Sequence, residues 1–108
     1  MARFVIAEYC KQSQLTRADG AQLRTLIEEH WEDAEPIVLD FYGLRIASVS
    51  FFDESLGLLA KRYPLDELGR RLRMENINAA DRVLLNGIVS SRAKEREGAS
   101  DDGHQAPV

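Results

Sequence analysis

Short apolar runs alternate along this chain with longer stretches in which apolar residues recur every three or four positions. The first two runs, over residues 3–9 and 37–41, are rich in Val, Ile and Phe and predict two β-strands. The run over residues 37–41 is almost continuously apolar, which is typical of a strand covered on both faces in an α/β layer.

The stretch between these two strands has the spacing of an amphipathic helix. Charged residues fill the positions between its apolar ones, which are Leu23, Leu26, Ile27 and Trp31. Spacings of three to four residues place such side chains on one helix face. We therefore predict a helix over residues 19–32, with Thr16 or Asp19 as its N-cap.

Residues 46–51 alternate only weakly and predict either a short strand or an extended loop. The apolar residues that recur at helical spacing beyond them are Phe52, Leu56 and Leu59. We expect this second helix to begin at Asp53, which would act as its N-cap, and to end before Pro64.

Residues 72–77 alternate again and predict the last strand, and Asn78 is expected to cap a final helix. From Gly98 onward the composition is small and polar, so we expect residues 97–108 to be a disordered tail. Residues 1–96 then form one domain in which strands and helices alternate. This order predicts an α/β fold, with a small mixed sheet of three to four strands packed with three helices.

The chain has 108 residues, of which 44% are hydrophobic, and this is enough for one hydrophobic core. No apolar run approaches the roughly 20 residues that a membrane-spanning helix needs. The apolar stretch near the N-terminus is also shorter than the hydrophobic region of a signal peptide. We therefore expect a cytoplasmic protein that does not associate with membranes.

The formal net charge of −4 argues against nucleic-acid binding, which normally requires a basic face. Two basic clusters, over residues 70–73 and 92–96, lack interleaved aromatic residues, and we interpret them as solvated helix surface. The single cysteine, Cys10, cannot form an internal disulfide, which agrees with a reducing compartment.

The chain offers few residues in a catalytic or metal-binding pattern. His30 and His104 have no second His or Cys at metal-ligand spacing, so we expect neither a metal nor a cofactor. An enzyme built on Asp40, Asp53 and Glu54 is one alternative, because strand ends and helix starts of α/β folds converge at one edge. We favour the structural interpretation, in which Asp40 stabilises a loop and Asp53 caps a helix, and expect no catalytic residues.

The most informative pattern lies between residues 37 and 59. It consists of Asp40-Phe41, Gly43-Leu44, Ser50-Phe51-Phe52-Asp53-Glu54 and Gly57. In these residues the chain resembles the bacterial STAS-like domain of unknown function, a relative of the STAS domain of anti-sigma factor antagonists. The resemblance covers about residues 37–92 and implies a STAS-like α/β domain that acts by protein–protein contact.

The resemblance also implies a candidate phosphoacceptor. In the antagonists, a serine at the start of the helix after a central strand is phosphorylated by a histidine-kinase-like ATPase. Ser55 falls at that position, although Glu54 replaces the first serine and Leu56 a glycine of the usual Asp-Ser-Ser-Gly pattern. The alternative is that Ser55 is a small residue packed at the edge of the core.

The leading hypothesis is therefore a non-catalytic regulatory or adaptor domain whose partner, by resemblance, is a histidine-kinase-like ATPase. The expected binding surface consists of Asp53, Glu54, Ser55 and Gly57. In the first turn of a helix, a phosphate on Ser55 would meet free N–H groups and two carboxylates, which suits a switch. The alternative function is a small anion- or nucleotide-binding module that uses the helix start after Asp53. The sequence leaves the oligomeric state undefined.

Overall fold

Three short strands form the sheet in the computed structural model, which describes residues 2–9 and 15–100. They are β1 (Arg3–Val5), β2 (Ile37–Asp40) and β3 (Leu72–Glu75), in the order β1-β2-β3 and all parallel. β2 and β3 lie where the sequence predicts them. The prediction of a mixed sheet is wrong for this part of the chain. Each connection contains a helix that carries the chain back across the sheet, so that the next strand runs parallel to the one before it.

Helices occupy the connections and the C-terminal part of the described chain. They are α1 (Ile6–Tyr9), α2 (Arg17–Glu29), α3 (Val49–Phe52), α4 (Leu58–Arg62), α5 (Leu65–Arg71) and α6 (Ala79–Ser100). A π-turn, Asp53–Gly57, joins α3 to α4, and we call these three segments together the central helix. The three expected helices are α2, the central helix and α6. The short helices α1 and α5 add to them, and α1 ends the first strand earlier than expected.

The predicted N-caps of α2 and α6 are confirmed. The Thr16 hydroxyl accepts from the Asp19 N–H at 3.3 Å, and the Asp19 carboxylate accepts from the Thr16 N–H at 2.9 Å, forming a capping box. At the start of α6, the Asn78 side chain accepts from the Asp81 N–H at 2.9 Å. α6 runs to Ser100, past the expected start of the tail, whereas residues 101–108 and Cys10 lie outside the described part.

The main hydrophobic core lies on one face of the sheet. Successive residues of a strand point to opposite faces, and on the core side these are Phe4, Ile37, Leu39 and Leu72. They share one core with apolar residues of α2, the central helix and α6. Phe51 and Phe52 of the central helix are fully buried in it. The opposite face carries Arg3, Val5, Val38, Asp40, Arg73 and Glu75.

Candidate functional site

The central helix begins four residues earlier than expected, at Val49. Its N-cap is Ser48, whose hydroxyl accepts from the Phe51 N–H and donates to the Leu15 carbonyl, both at 3.1 Å. Residues 46–51 were expected to form a short strand or an extended loop, but only residues 46–48 form a loop and residues 49–51 belong to α3. The prediction that Asp53 caps this helix is wrong. The alternative of an anion-binding site required a helix start at Asp53, and the structure has none there.

The π-turn has a cause in the spacing of the buried residues. They form two rows with steps of four along the central helix, Phe51-Ser55-Leu59 and Phe52-Leu56-Ala60. In an α-helix a four-residue step overshoots one turn by about 40°, so each row would drift away from the core. The Leu58 N–H instead donates to the Asp53 carbonyl, and this i→i+5 bond widens the turn. Such turns inside α-helices are frequent at functional sites, which makes this one the candidate site.

Asp53 is held by Arg92 of α6. The Nε and Nη2 groups of Arg92 donate to the two oxygens of Asp53, both at 2.7 Å, in a bidentate ion pair. Arg17 of α2 adds a longer contact of 3.7 Å. The hydrogen bonds from Arg92 hold the pKa of the Asp53 carboxyl below its usual value, and this carboxylate raises the pKa of Arg92.

Glu54 is held by two arginines of α2. Arg17 Nη1 donates to Glu54 Oε1 at 2.7 Å, and Arg24 Nη1 donates to Glu54 Oε2 at 3.1 Å and to the Glu54 carbonyl. Hydrogen bonds from Arg17 and then from Arg24 lower the pKa of the Glu54 carboxyl. We call Arg17, Arg24 and Arg92 the arginine cluster.

Two glycines let α2 and α6 approach the π-turn closely. A β-carbon on Gly20 would lie 2.5 Å from the Phe51 carbonyl oxygen, and one on Gly57 would lie 2.9 Å from Asp53 Oδ1 and 3.0 Å from Ile88 Cγ2. Gly20 has no room for a side chain while α2 keeps its position, because the near atom is backbone, whereas at Gly57 the side chains of Asp53 and Ile88 would have to shift. The close packing holds the arginine cluster within reach of its carboxylates.

Ser55 is fully buried. Its hydroxyl donates to the Phe51 carbonyl at 2.7 Å, with the Phe52 carbonyl at 3.4 Å. The premise that Ser55 lies in the first turn of a helix is wrong, because α3 precedes it. The alternative, a small residue packed in the core, describes its position, and phosphorylation of Ser55 stays a prediction.

The four residues of the expected binding surface all lie within the π-turn, but their side chains differ in solvent exposure. The side chains of Asp53 and Glu54 are 17% and 19% exposed, whereas Ser55 and Gly57 are buried. Only the two carboxylates therefore reach the surface, and their role in binding stays a prediction.

Sequence reasoning missed the arginine cluster. Arg92 was assigned to solvated helix surface, and no role was given to Arg17 or Arg24. Each contacts a carboxylate 30 to 39 positions away in the chain. Local periodicity contains no signal for such contacts, because they depend on how α2 and α6 pack on the central helix.

Asp40 belongs to a different cluster at the end of β2. Its carboxylate accepts from Arg3 at 2.8 Å, from the Asn76 side chain at 2.9 Å and from the Tyr42 N–H at 3.0 Å. The bond from Asn76, with the others, lowers the pKa of the Asp40 carboxyl. Asp40 shares none of these partners with the π-turn carboxylates, and it stabilises the turn after β2 as the structural interpretation predicts.

Asp81 is a buried carboxylate that sequence reasoning also missed. It accepts from the N–H groups of Ile46 at 2.6 Å and Ala47 at 2.8 Å, and from Asn78 Nδ2 at 2.9 Å. Ala47 has a φ of 47°, in the left-handed region, so these bonds hold a loop that leads directly into the central helix. The Asn78-to-Asp81 spacing, typical of a helix start, is the signal that could have indicated it.

Among residues 2–9 and 15–100, no three His, Cys, Asp or Glu side chains are placed to hold a metal ion. In the same part of the chain, no helix combines the length and apolar composition that crossing a membrane requires.

The fold and the site define a small α/β domain in which two helices clamp a π-turn on a parallel sheet. The model of a known family, the STAS-like domain of unknown function (DUF4325), matches residues 19–82, and the chain belongs to this family. This confirms the resemblance found in the sequence. The comparison with curated proteins found no match, and neither did the comparison with solved structures.

Proposed function

We propose that this STAS-like domain is a non-catalytic regulatory or adaptor domain that binds a protein partner at the arginine cluster. The supporting observation is the convergence of three arginines from two helices on the two carboxylates of a π-turn. The resemblance to anti-sigma factor antagonists implies a histidine-kinase-like ATPase as the partner.

The arginine cluster suits docking because most of it is ordered before a partner arrives. The side chains of Arg24 and Arg92 are only 25% and 24% exposed and already paired. Immobilising long side chains costs free energy on association, and this cost is smaller here because these side chains are already held in place in the folded chain. Arg17 is 57% exposed, and a guanidinium has five N–H donors, so several remain for a partner.

The charge of the site favours an acidic partner surface. Arg92 also donates to Glu95 at 3.0 Å, and Glu95 contacts Lys61 at 3.7 Å. Three arginines and this lysine therefore meet three carboxylates, which leaves one positive charge near the π-turn of a chain whose net charge is −4. A local positive patch on an acidic protein selects orientation and speeds encounter with a negative surface.

The test compares Arg17→Ala with Arg62→Ala. Both arginines are exposed and form an ion pair with a glutamate, at 2.7 Å and 2.6 Å respectively, and Arg62 lies outside the cluster. Exposed pairs of this kind contribute about 0–1 kcal/mol to stability, so both variants should remain folded. Binding to purified histidine-kinase-like ATPases of the source organism is measured by titration calorimetry.

We expect one of these ATPases to bind the wild-type chain, and Arg17→Ala to weaken binding about tenfold or more while Arg62→Ala does not. Absence of binding to every such ATPase contradicts the partner class. Equal affinity of the two variants contradicts the assignment of the surface.

We propose further that Ser55 is the phosphoacceptor, and that it is reached only when the π-turn opens, because its hydroxyl is fully buried. The wild-type chain and Ser55→Ala are incubated with the ATPase and ATP, and their intact masses are compared. Gain of one phosphate by the wild-type chain alone supports a switch. Unchanged mass of both chains contradicts it.

A further inference from the structure

The outer edge of β3 is unpaired within the described part of the sheet. The Glu75 carbonyl accepts from the Phe41 N–H, which immediately follows β2. Backbone groups of successive strand residues point in alternate directions, so the N–H and C=O of Met74 point away from β2. Such an edge is a template for pairing with a further strand.

The side chains along this edge carry charges that would be complementary to those of a second copy of the same strand. Arg73 and Glu75 lie two residues apart and share the face of the sheet opposite the main core. Arg73 is exposed, and within residues 2–9 and 15–100 its side chain forms no hydrogen bond or ion pair. Glu75 is 42% exposed and contacts Arg3 at 2.9 Å through one carboxylate oxygen. Each strand therefore offers one cation and one anion in a fixed order.

An apolar groove runs along the other face of the same edge. It has a volume of about 240 Å³ between α5, β3 and α6, and its lining includes Leu65, Leu68, Leu72, Met74, Leu85 and Val89. Leu65 at the rim is 45% exposed. The groove therefore borders the unpaired strand edge and is lined mainly by apolar side chains.

We propose that two copies of this chain pair through β3 in antiparallel orientation, forming one continuous sheet with three strands from each copy. A two-fold axis at Met74 places it opposite Met74 of the partner subunit, and both residues direct their free backbone groups at each other. Arg73 then faces the partner subunit's Glu75 and Glu75 faces the partner subunit's Arg73, so symmetry provides the contact twice.

The backbone geometry agrees with this register. In an antiparallel pair, positions that exchange hydrogen bonds alternate with positions that do not, and side chains are closer at the latter. Met74 is a hydrogen-bonding position, so Arg73 and Glu75 occupy the closer ones. A second copy supplies both the strand and the matching charges. This pairing lies outside the arginine cluster and does not depend on the proposed function.

The test is the mass of the full chain in solution over a broad concentration series, measured by light scattering and sedimentation equilibrium. We expect a species of twice the 12.2 kDa chain mass that dissociates on dilution. Met74→Pro removes the N–H that the pairing needs and should abolish the dimer, since proline is tolerated on edge strands. Arg73→Glu places like charges opposite each other and should weaken the dimer about tenfold or more.

Two further variants separate this register from a general loss of association. Arg73→Glu combined with Glu75→Arg should regain much of the lost affinity, because the charges are again complementary between copies. Lys94→Glu makes the same charge change at an exposed residue of α6 and should have no effect. A chain that stays monomeric throughout overturns the pairing and leaves the edge for another partner. A dimer unaffected by Arg73→Glu overturns the interface, even if Met74→Pro fails to fold.

Discussion

Gly20 provides a sharp test of how α2 packs on the π-turn. A β-carbon at this position would lie 2.5 Å from the Phe51 carbonyl oxygen and 3.1 Å from Glu54 Cβ. A carbon–oxygen contact normally measures about 3.3 Å or more, so Gly20→Ala requires α2 to move by about 0.8 Å. The Phe51 carbonyl cannot yield cheaply, because it is backbone within the central helix and accepts the Ser55 hydroxyl.

The expected free-energy change combines two opposed effects. Alanine is about 1 kcal/mol better than glycine in a helix interior, whereas overpacking costs typically 1–3 kcal/mol and more against rigid backbone. We expect Gly20→Ala to lower the free energy of unfolding by about 2 kcal/mol net, because the contact is with a carbonyl and not with a flexible side chain end. The melting temperature should fall by about 8 °C or more.

The matched control is Gly87→Ala, in the interior of α6, where a β-carbon would meet nothing within 4 Å. It should raise stability by about 0.5–1 kcal/mol through helix propensity alone. Urea unfolding monitored by circular dichroism measures both variants. If Gly20→Ala is as stable as Gly87→Ala, α2 does not approach the π-turn as closely as described, and the geometry of the arginine cluster is wrong.

Four further substitutions at three positions test the site and its supports, each by urea unfolding. Ser55→Ala should lower stability by about 0.5–1.5 kcal/mol by removing one buried hydrogen bond to the Phe51 carbonyl. Ser55→Asp should lower it more, because a carboxylate would face carbonyl oxygens; equal effects would contradict this. Asp81→Ala should lower stability by about 2–4 kcal/mol, since two loop N–H groups lose their acceptor; a smaller loss would mean that water replaces it. The pKa of Asp53 is lowered in the folded state, so its stabilisation is present above the usual carboxyl pKa of about 3.9 and is lost as the pH falls through the folded value. The stability difference between wild type and Asp53→Asn should therefore shrink below about pH 4, and a constant difference would show that Arg92 does not stabilise the ionised carboxylate.

Short-range sequence patterns were enough to predict β2 and the N-caps of α2 and α6, because these features depend on residues close together in the chain. β2 lies in an almost continuous apolar run, and the caps Thr16 and Asn78 act on N–H groups three positions away. The start of the central helix was misplaced because Asp53-Glu54 has the composition of a first turn, while Ser48 is an equally good cap. Buried rows with steps of four could have indicated the π-turn, but an i, i+4, i+7 reading fits an α-helix as well.

The candidate site was only partly predictable for a different reason. The motif around Asp53, Glu54 and Gly57 includes the π-turn, and the family match confirms the resemblance that the motif carries. The side chains that contact these carboxylates come from α2 and α6, which bring Arg17 to Glu54 and Arg92 to Asp53 from distant parts of the chain. A sheet of three parallel strands was likewise undefined, since strand direction follows from the crossover connections and not from the composition of any strand.

Burial of Ser55 links the predicted switch to the predicted docking surface. A kinase can reach the hydroxyl only after the π-turn opens, and a phosphate with a charge near −2 cannot return beside the Phe51 and Phe52 carbonyls. Phosphorylation would therefore hold the turn open and release the arginine cluster from its carboxylates, ending partner binding by the same event. The Leu58 N–H, which donates to the Asp53 carbonyl across the π-turn, reports on this directly. In hydrogen exchange, this N–H should lose its protection in the phosphorylated chain and in Ser55→Asp, and should largely keep it in Ser55→Ala. Protection in all three would contradict the idea that phosphorylation of Ser55 opens the π-turn and so disrupts the docking surface.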